Sequence, residues 1–81
     1  MRRNWLTYEQ IANEMSARII EGECQPGERL PSKTELAQLY SVSAATIEKV
    51  HIVLRERGLV IGRPGRGVYV ARRDEWRYPY V

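Results

Sequence analysis

With 81 residues, the chain is long enough for one small hydrophobic core, and its size argues against a large catalytic cleft. The 13 basic and 10 acidic side chains give a net charge of +3, but residues 1–43 carry five basic and six acidic side chains whereas residues 44–81 carry eight and four. The positive charge therefore belongs to the C-terminal half, where it would attract a phosphate backbone, although a solvated basic face would have the same composition.

The sequence offers little for disulfide formation, metal binding or membrane insertion. Cys24 is the single cysteine, so no internal disulfide can form, and no pair of ligands suggests a metal site. There is no apolar run of about 18 residues and no secretory leader pattern, which disfavours membrane spanning and secretion. We predict a cytoplasmic protein with no cofactor or metal. An enzyme is the weakest option, because no carboxylate pair or nucleophile with a base can be assembled.

Both ends of the chain are predicted to be tails. In residues 1–6, Arg2 and Arg3 are expected to fray, with a basic arm on DNA as the alternative, and Trp5 is expected to pack on the domain. Residues 71–81 form a basic and aromatic tail that could fold back on the domain, pack against a second copy or hang free.

A first helix is predicted from Thr7, which forms a capping box with Gln10. Gly22 is expected to end it as a left-handed cap. Apolar side chains recur at helical spacing along one face, namely Tyr8, Ile11, Ala12, Met15 and Ile19.

Two further helices follow, separated by a turn of about three residues. The first begins after Ser32, which forms a capping box with Glu35, and the second begins at Ser43, runs to about Arg57 and ends at Gly58. Their apolar faces are Leu36, Ala37, Leu39 and Tyr40 on the first, and Ile47, Val50 and Leu54 on the second. Such a helix-turn-helix places its second helix in the major groove in DNA-binding proteins.

Extended segments flank this pair of helices. Residues 24–27 are predicted to turn, and residues 28–30 form a short extended piece that could pair with a later strand. Residues 59–61 and 68–70 are rich in β-branched side chains and are predicted to form a hairpin.

The tip of this hairpin, residues 62–67, is basic and rich in glycine. Gly65 and Gly67 allow the backbone to approach a surface closely, and Arg63 and Arg66 place charge where the loop protrudes. Such a wing suits a narrow minor groove or the flanking phosphates. A nucleotide-binding loop is disfavoured, because that loop leads from a strand into a helix and here it leads into another strand.

Taken in order, these segments resemble the DNA-binding domain of the GntR family of bacterial winged-helix transcription regulators, from Tyr8 to Val70. The most specific matches are Ile19-Ile20-Glu21-Gly22, Pro26-Gly27-Glu28-Arg29-Leu30-Pro31-Ser32, Leu36-Ala37, Val42-Ser43, Thr46-Ile47, Arg57-Gly58-Leu59-Val60 and Gly65-Arg66-Gly67-Val68-Tyr69-Val70. The resemblance implies a mostly α fold with a small β wing (α+β): a winged helix-turn-helix over residues 7–70, with three helices and a two- or three-stranded antiparallel sheet. It also implies dimeric binding to a short inverted repeat in double-stranded DNA, most often with repression.

Relatives normally continue into a ligand-sensing and dimerising domain. This sequence lacks one, so we expect a stand-alone module or a truncated piece, without a small-molecule effector.

The surface predicted to contact DNA bases differs from that of the family at three positions. Thr34, Ala44 and Glu48 stand where relatives usually carry arginines, so the usual guanine contacts are missing. A carboxylate such as that of Glu48 can accept from cytosine N4, yet phosphates repel it. Lys33 and Lys49 are predicted to anchor phosphates. The full set of predicted DNA-binding residues is Lys33, Thr34, Ser43, Ala44, Ala45, Thr46, Glu48, Lys49, Arg63, Gly65, Arg66 and Gly67.

The middle of the predicted helix that begins at Ser43 is also unusual. Ile52 and Val53 occupy places that are polar in most relatives, and His51 occupies a usually apolar one. One of the two β-branched residues is expected to be exposed, as a partner surface or as ordinary surface. The predicted partner interface comprises Ile52, Val53, Trp76, Tyr78 and Tyr80.

The leading hypothesis is a sequence-selective transcriptional regulator, acting as a dimeric repressor that occludes a promoter. The alternative is a winged-helix protein–protein interaction module that has lost specific base reading. Loss of the three arginines favours the second hypothesis, and retention of the basic residues at 33, 49, 63 and 66 favours the first.

Overall fold

The computed structural model describes residues 6–78. Three helices, α1 (Tyr8–Ile20), α2 (Lys33–Tyr40) and α3 (Ala44–Glu56), precede a hairpin of β1 (Val60–Arg63) and β2 (Gly67–Val70), and a 3-10 turn spans Arg73–Glu75. The predicted winged helix-turn-helix is confirmed. Arg2, Arg3, Trp5 and Tyr80 lie outside the described residues.

The predicted caps form as local hydrogen bonds. Thr7 and Ser32 each make a complete capping box, with Gln10 and Glu35 respectively. Ser43 caps α3 by accepting from the backbone N–H of Thr46. Each cap satisfies a backbone donor that the first helical turn leaves without a partner, so the three helix starts are fixed locally.

The three helices and the hairpin enclose one hydrophobic core. Its fully buried apolar members come from α1, α3 and the hairpin with the residue before it, and include Ile11, Ile19, Ile47, Val50, Leu54, Leu59, Val60 and Val70. Leu36 and Tyr40 are the buried residues that α2 adds. The prediction that Leu39 belongs to this core is wrong, since its side chain is 65% exposed. Leu36 and Tyr40 lie one turn apart and face the core, whereas Leu39 falls on the flank of α2 opposite Ala37.

The wing is attached to the helices through the segment before α2. β1 and β2 pair antiparallel, with Ile61 opposite Tyr69. On its other edge, β2 is bonded to residues 28–30: Val70 N donates to Glu28 O and Leu30 N donates to Val68 O, both at 2.8 Å. The predicted pairing of the extended piece is therefore present, as an isolated bridge rather than a full strand.

Candidate nucleic-acid interface

The N-terminus of α3 presents small side chains to solvent. Ala44 and Ala45 are exposed, and the Ser43 Oγ lies 3.0 Å from the Thr46 Oγ1. Because the Ser43 hydroxyl also accepts from the Thr46 N–H at 3.1 Å, it is engaged by the cap. The half-buried Thr46 hydroxyl is the polar group beside two alanine methyls at this helix end.

The two charged residues nearest this end are bonded to each other. The Lys33 Nζ, at the first residue of α2, lies 2.6 Å from the Glu48 Oε2 on α3, and both side chains are exposed. The hydrogen bond from Lys33, with its charge, lowers the pKa of Glu48, so the carboxylate is ionised at neutral pH. Lys33 was predicted to be a phosphate anchor, but its ammonium is held by Glu48. Thr34 is exposed on the same turn of α2.

The second predicted anchor points toward α1. The Lys49 Nζ lies 5.6 Å from the centroid of the Tyr8 ring, a cation–π distance that leaves the rest of the ammonium in water.

The wing tip has the predicted composition and exposure. Arg63, Gly65, Arg66 and Gly67 are all exposed, and the Arg66 N–H closes the turn on the Arg63 carbonyl at 2.9 Å. The guanidinium of Arg63, at the end of β1, lies 5.8 Å from the ring centroid of Tyr69 on the paired strand β2. The charges are therefore carried at the protruding end of a paired hairpin.

Between α3 and the wing lies a cleft of about 550 Å³. Arg29, Lys33 and Arg55 line it, so three cations face one carboxylate, Glu48, across this space. The sequence pattern did not indicate Arg29 or Arg55 as residues of the site. Arg55 could have been found, because it lies seven residues after Glu48 and so shares its face of α3; the position of Arg29 depends on the long-range pairing of residues 28–30 with β2.

His51 forms part of the wall of this cleft and is only 7% exposed. Its Nε2 has no hydrogen-bond partner among the described residues. Burial lowers the pKa of His51, and Arg55 and Lys33 lower it further while Glu48 acts in the opposite direction. The ring is therefore neutral at pH 7.

The predicted partner residues divide into two groups. Ile52 is 51% exposed, whereas Val53 is half-buried against the core. Trp76 donates from Nε1 to the Ala71 carbonyl at 3.0 Å, and Tyr78 packs over the Arg57 guanidinium. Val53, Trp76 and Tyr78 thus use part of their apolar surface within this chain, and their role in a partner interface stays a prediction.

Within residues 6–78, no three His, Cys, Asp or Glu side chains are grouped closely enough to hold a metal ion. In the same part of the chain, no helix is long and apolar enough to cross a membrane.

Sequence and structure comparisons agree on the type of domain. Residues 7–70 match the profile of "Bacterial regulatory proteins, gntR family". The uncharacterized HTH-type transcriptional regulator YdcR of Escherichia coli is 38% identical over 64 residues, which cover 79% of this chain and 14% of YdcR. The HTH-type transcriptional repressor YtrA of Bacillus subtilis is 34% identical over a match that covers 79% of this chain and 49% of YtrA.

A solved structure shares both sequence and fold. The AraR DNA-binding domain, crystallised with operator ORR3, is 36% identical with a TM-score of 0.75, over 79% of this chain and 77% of that chain. The curated relatives are helix-turn-helix regulators, so the domain is a DNA-binding fold and not an enzyme. The profile match, the relatives and the shared fold together show that this chain belongs to the gntR family of bacterial regulatory proteins.

Proposed function

We propose that this protein binds double-stranded DNA sequence-selectively and represses transcription. In this proposal the start of α3 enters the major groove, and residues 62–67 of the wing contact the minor groove or the flanking phosphates. The observation that carries it is the cleft between α3 and the wing, where Arg29, Lys33 and Arg55 gather positive charge around Glu48, one turn after the exposed start of α3.

The relatives support this proposal. The AraR domain was crystallised with operator DNA, and YtrA of Bacillus subtilis is named a repressor. A repressor of this kind needs no catalytic group, because occupancy of a promoter suffices to exclude the transcription machinery. We further propose that two copies bind an inverted repeat, since two-fold symmetric proteins read two-fold symmetric sites.

A protein–protein interaction module is the second candidate. It rests on the exposed Ile52 and Leu39, which are 51% and 65% exposed. The aromatic side chains of Trp76 and Tyr78 are half-buried against their own domain, so they add little to this surface. Two separate apolar side chains form a smaller contact surface than a stable protein interface requires.

Selection from a random duplex pool, followed by binding measured against salt, tests the proposal. We expect an inverted repeat to emerge, two copies to bind per site, and affinity to fall steeply with salt as counterions are released. Equal and weak affinity for every duplex would instead favour the interaction module.

A further inference from the structure

Lys33 and Glu48 form a joint donor and acceptor on the surface proposed to face DNA. Their atoms are 2.6 Å apart, and their side chains remain 43% and 60% exposed. An exposed ion pair contributes little to folding stability, because water screens the charges and two long side chains lose freedom. Stability therefore gives little reason to bridge α2 and α3 with this pair, and a role in recognition accounts for it better.

The surroundings of the pair leave it open to a large ligand. Ala44 and Ala45 lie one turn before Glu48 on the outer surface of α3, and both are exposed. Neither has a side chain beyond Cβ, so the floor of a groove can approach the Glu48 carboxylate without obstruction. Because Lys33 neutralises the carboxylate, the pair as a whole avoids the repulsion that a lone glutamate would meet among phosphates.

The spacing of the pair matches a base-pair edge. In the major groove, cytosine N4 is a donor beside guanine O6, an acceptor, and these two atoms are joined across the base pair at about 2.9 Å. A carboxylate and an ammonium held side by side can therefore meet both atoms together. Guanine N7 lies next to O6 and offers the ammonium a second acceptor. In an A·T pair the donor N6 lies between two acceptors, so the ammonium would meet only one.

We propose that Lys33 and Glu48 together read one C·G base pair in each half-site. This inference rests on the proposed function. Glu48 accepts from N4 of the cytosine, and Lys33 donates to O6 and N7 of the guanine. The ion pair remains intact in the complex. Lys33 contacts the guanine with the N–H donors that do not bond to Glu48, and Glu48 contacts the cytosine with the lone pairs that do not bond to Lys33. This contact replaces guanine reading by the arginines that the sequence lacks at 34, 44 and 48.

The decisive variant is the charge swap Lys33→Glu with Glu48→Lys. It preserves the ion pair but exchanges the donor and acceptor ends, so the favoured base pair should turn from C·G to G·C. Affinity is measured on the duplex selected by the wild-type protein and on the three duplexes substituted at that one pair. We expect the wild type to prefer C·G over G·C by about tenfold, and the swap variant to invert that ratio. The control exchanges the α1 pair in the same way, with Glu14→Arg and Arg18→Glu, and should leave the ranking unchanged.

A second variant covers the case in which the swap abolishes binding. Glu48→Gln presents an amide, which suits adenine, so the preferred base in the cytosine position should become adenine. If the wild type selects no sequence at all, the proposed function fails. If it selects a site and either variant ranks the four duplexes as the wild type does, the reading of C·G by this pair is refuted while the function stands. A swap variant that ranks all four equally refutes it too.

Discussion

The Arg57 guanidinium lies 4.0 Å from the centroid of the Tyr78 ring, and this contact fastens the C-terminal segment to the helices. The same guanidinium donates from Nη1 to the Ser16 Oγ and from Nη2 to the Asn13 Oδ1, each at 2.9 Å. The Arg57 carbonyl accepts from the Arg77 N–H at 2.7 Å. Arg57, the residue that follows α3, thus joins α1, α3 and residues 77–78.

We expect Arg57→Met to lower the free energy of unfolding by about 2 kcal/mol. Methionine keeps the apolar stem but leaves the buried Ser16 hydroxyl without its donor. Urea unfolding followed by tryptophan fluorescence measures the loss. Arg73→Met is the control, because Arg73 is exposed and its guanidinium lies 5.8 Å from the Trp76 ring. Equal losses in the two variants would show that Arg57 does not link these elements.

Gly58 should tolerate no side chain. Its φ is +75°, and a Cβ there would overlap the carbonyl oxygen of Glu75. Gly27 has a φ of +88° with nothing within 4 Å of the same position, so Gly27→Ala carries only the backbone cost, about 1–2 kcal/mol. We expect Gly58→Ala to cost at least about 1 kcal/mol more in thermal unfolding, because residues 75–77 must move. Matching costs in the two alanine variants would mean that this segment moves aside freely.

His51→Leu should stabilise the protein and change its dependence on pH. Leucine removes the buried Nε2 that lacks a partner, which is worth about 1 kcal/mol at pH 7.5. Burial lowers the pKa of His51 below its usual 6.5, so as pH falls the unfolded chain binds a proton first. The stability that depends on the neutral ring is complete above the unfolded pKa and is lost as pH falls from there toward the lower folded pKa. Melting temperatures between about pH 7.5 and 5.5 should therefore fall more steeply for the wild type. Parallel curves would contradict this prediction.

Replacing both wing arginines, Arg63→Ala with Arg66→Ala, should weaken binding to all duplexes alike. Each lost phosphate contact lowers the slope of log affinity against log salt by about 0.9. We expect a change of about 1.8 for the double variant, measured by fluorescence anisotropy over a salt series. Arg18→Ala on α1 is the control for the loss of one arginine away from the wing. A wing variant whose slope equals that of the wild type would show that the wing does not touch DNA.

Thr46→Val should reduce selectivity rather than general affinity. Valine keeps the β-branched shape and the backbone N–H that donates to Ser43 Oγ, and removes only the hydroxyl. We expect the ratio of affinities for selected and random duplexes to fall by about fivefold, with random binding unchanged. The same ratio in both proteins would exclude a base contact from this hydroxyl.

What the sequence predicts well is what neighbouring residues determine. Thr7, Ser32 and Ser43 cap their helices as expected, since each cap closes over three residues. The order of helices and hairpin followed from these caps, from the glycines and from the apolar spacing. Leu39 was misplaced because helical spacing identifies a face but not how much of it the neighbouring helices cover.

The charged contacts between separate elements could not be predicted in this way. Lys33 and Glu48 are 15 residues apart, and Arg57 is 41 residues from Ser16, so neither contact follows a helical repeat. Both depend on where one helix crosses another. Individual charges could be assigned to the surface, but their pairing needed the packed structure.

The double attachment of β2 has a consequence for the proposed contact with DNA. With β1 on one edge and residues 28–30 on the other, the strand that supports the wing tip cannot swing independently of the helices. The distance between the start of α3 and the wing tip is therefore held constant. A duplex that meets both ends must adapt its own groove width and curvature, so the stiffness of base pairs between the two contacts becomes part of the recognised sequence.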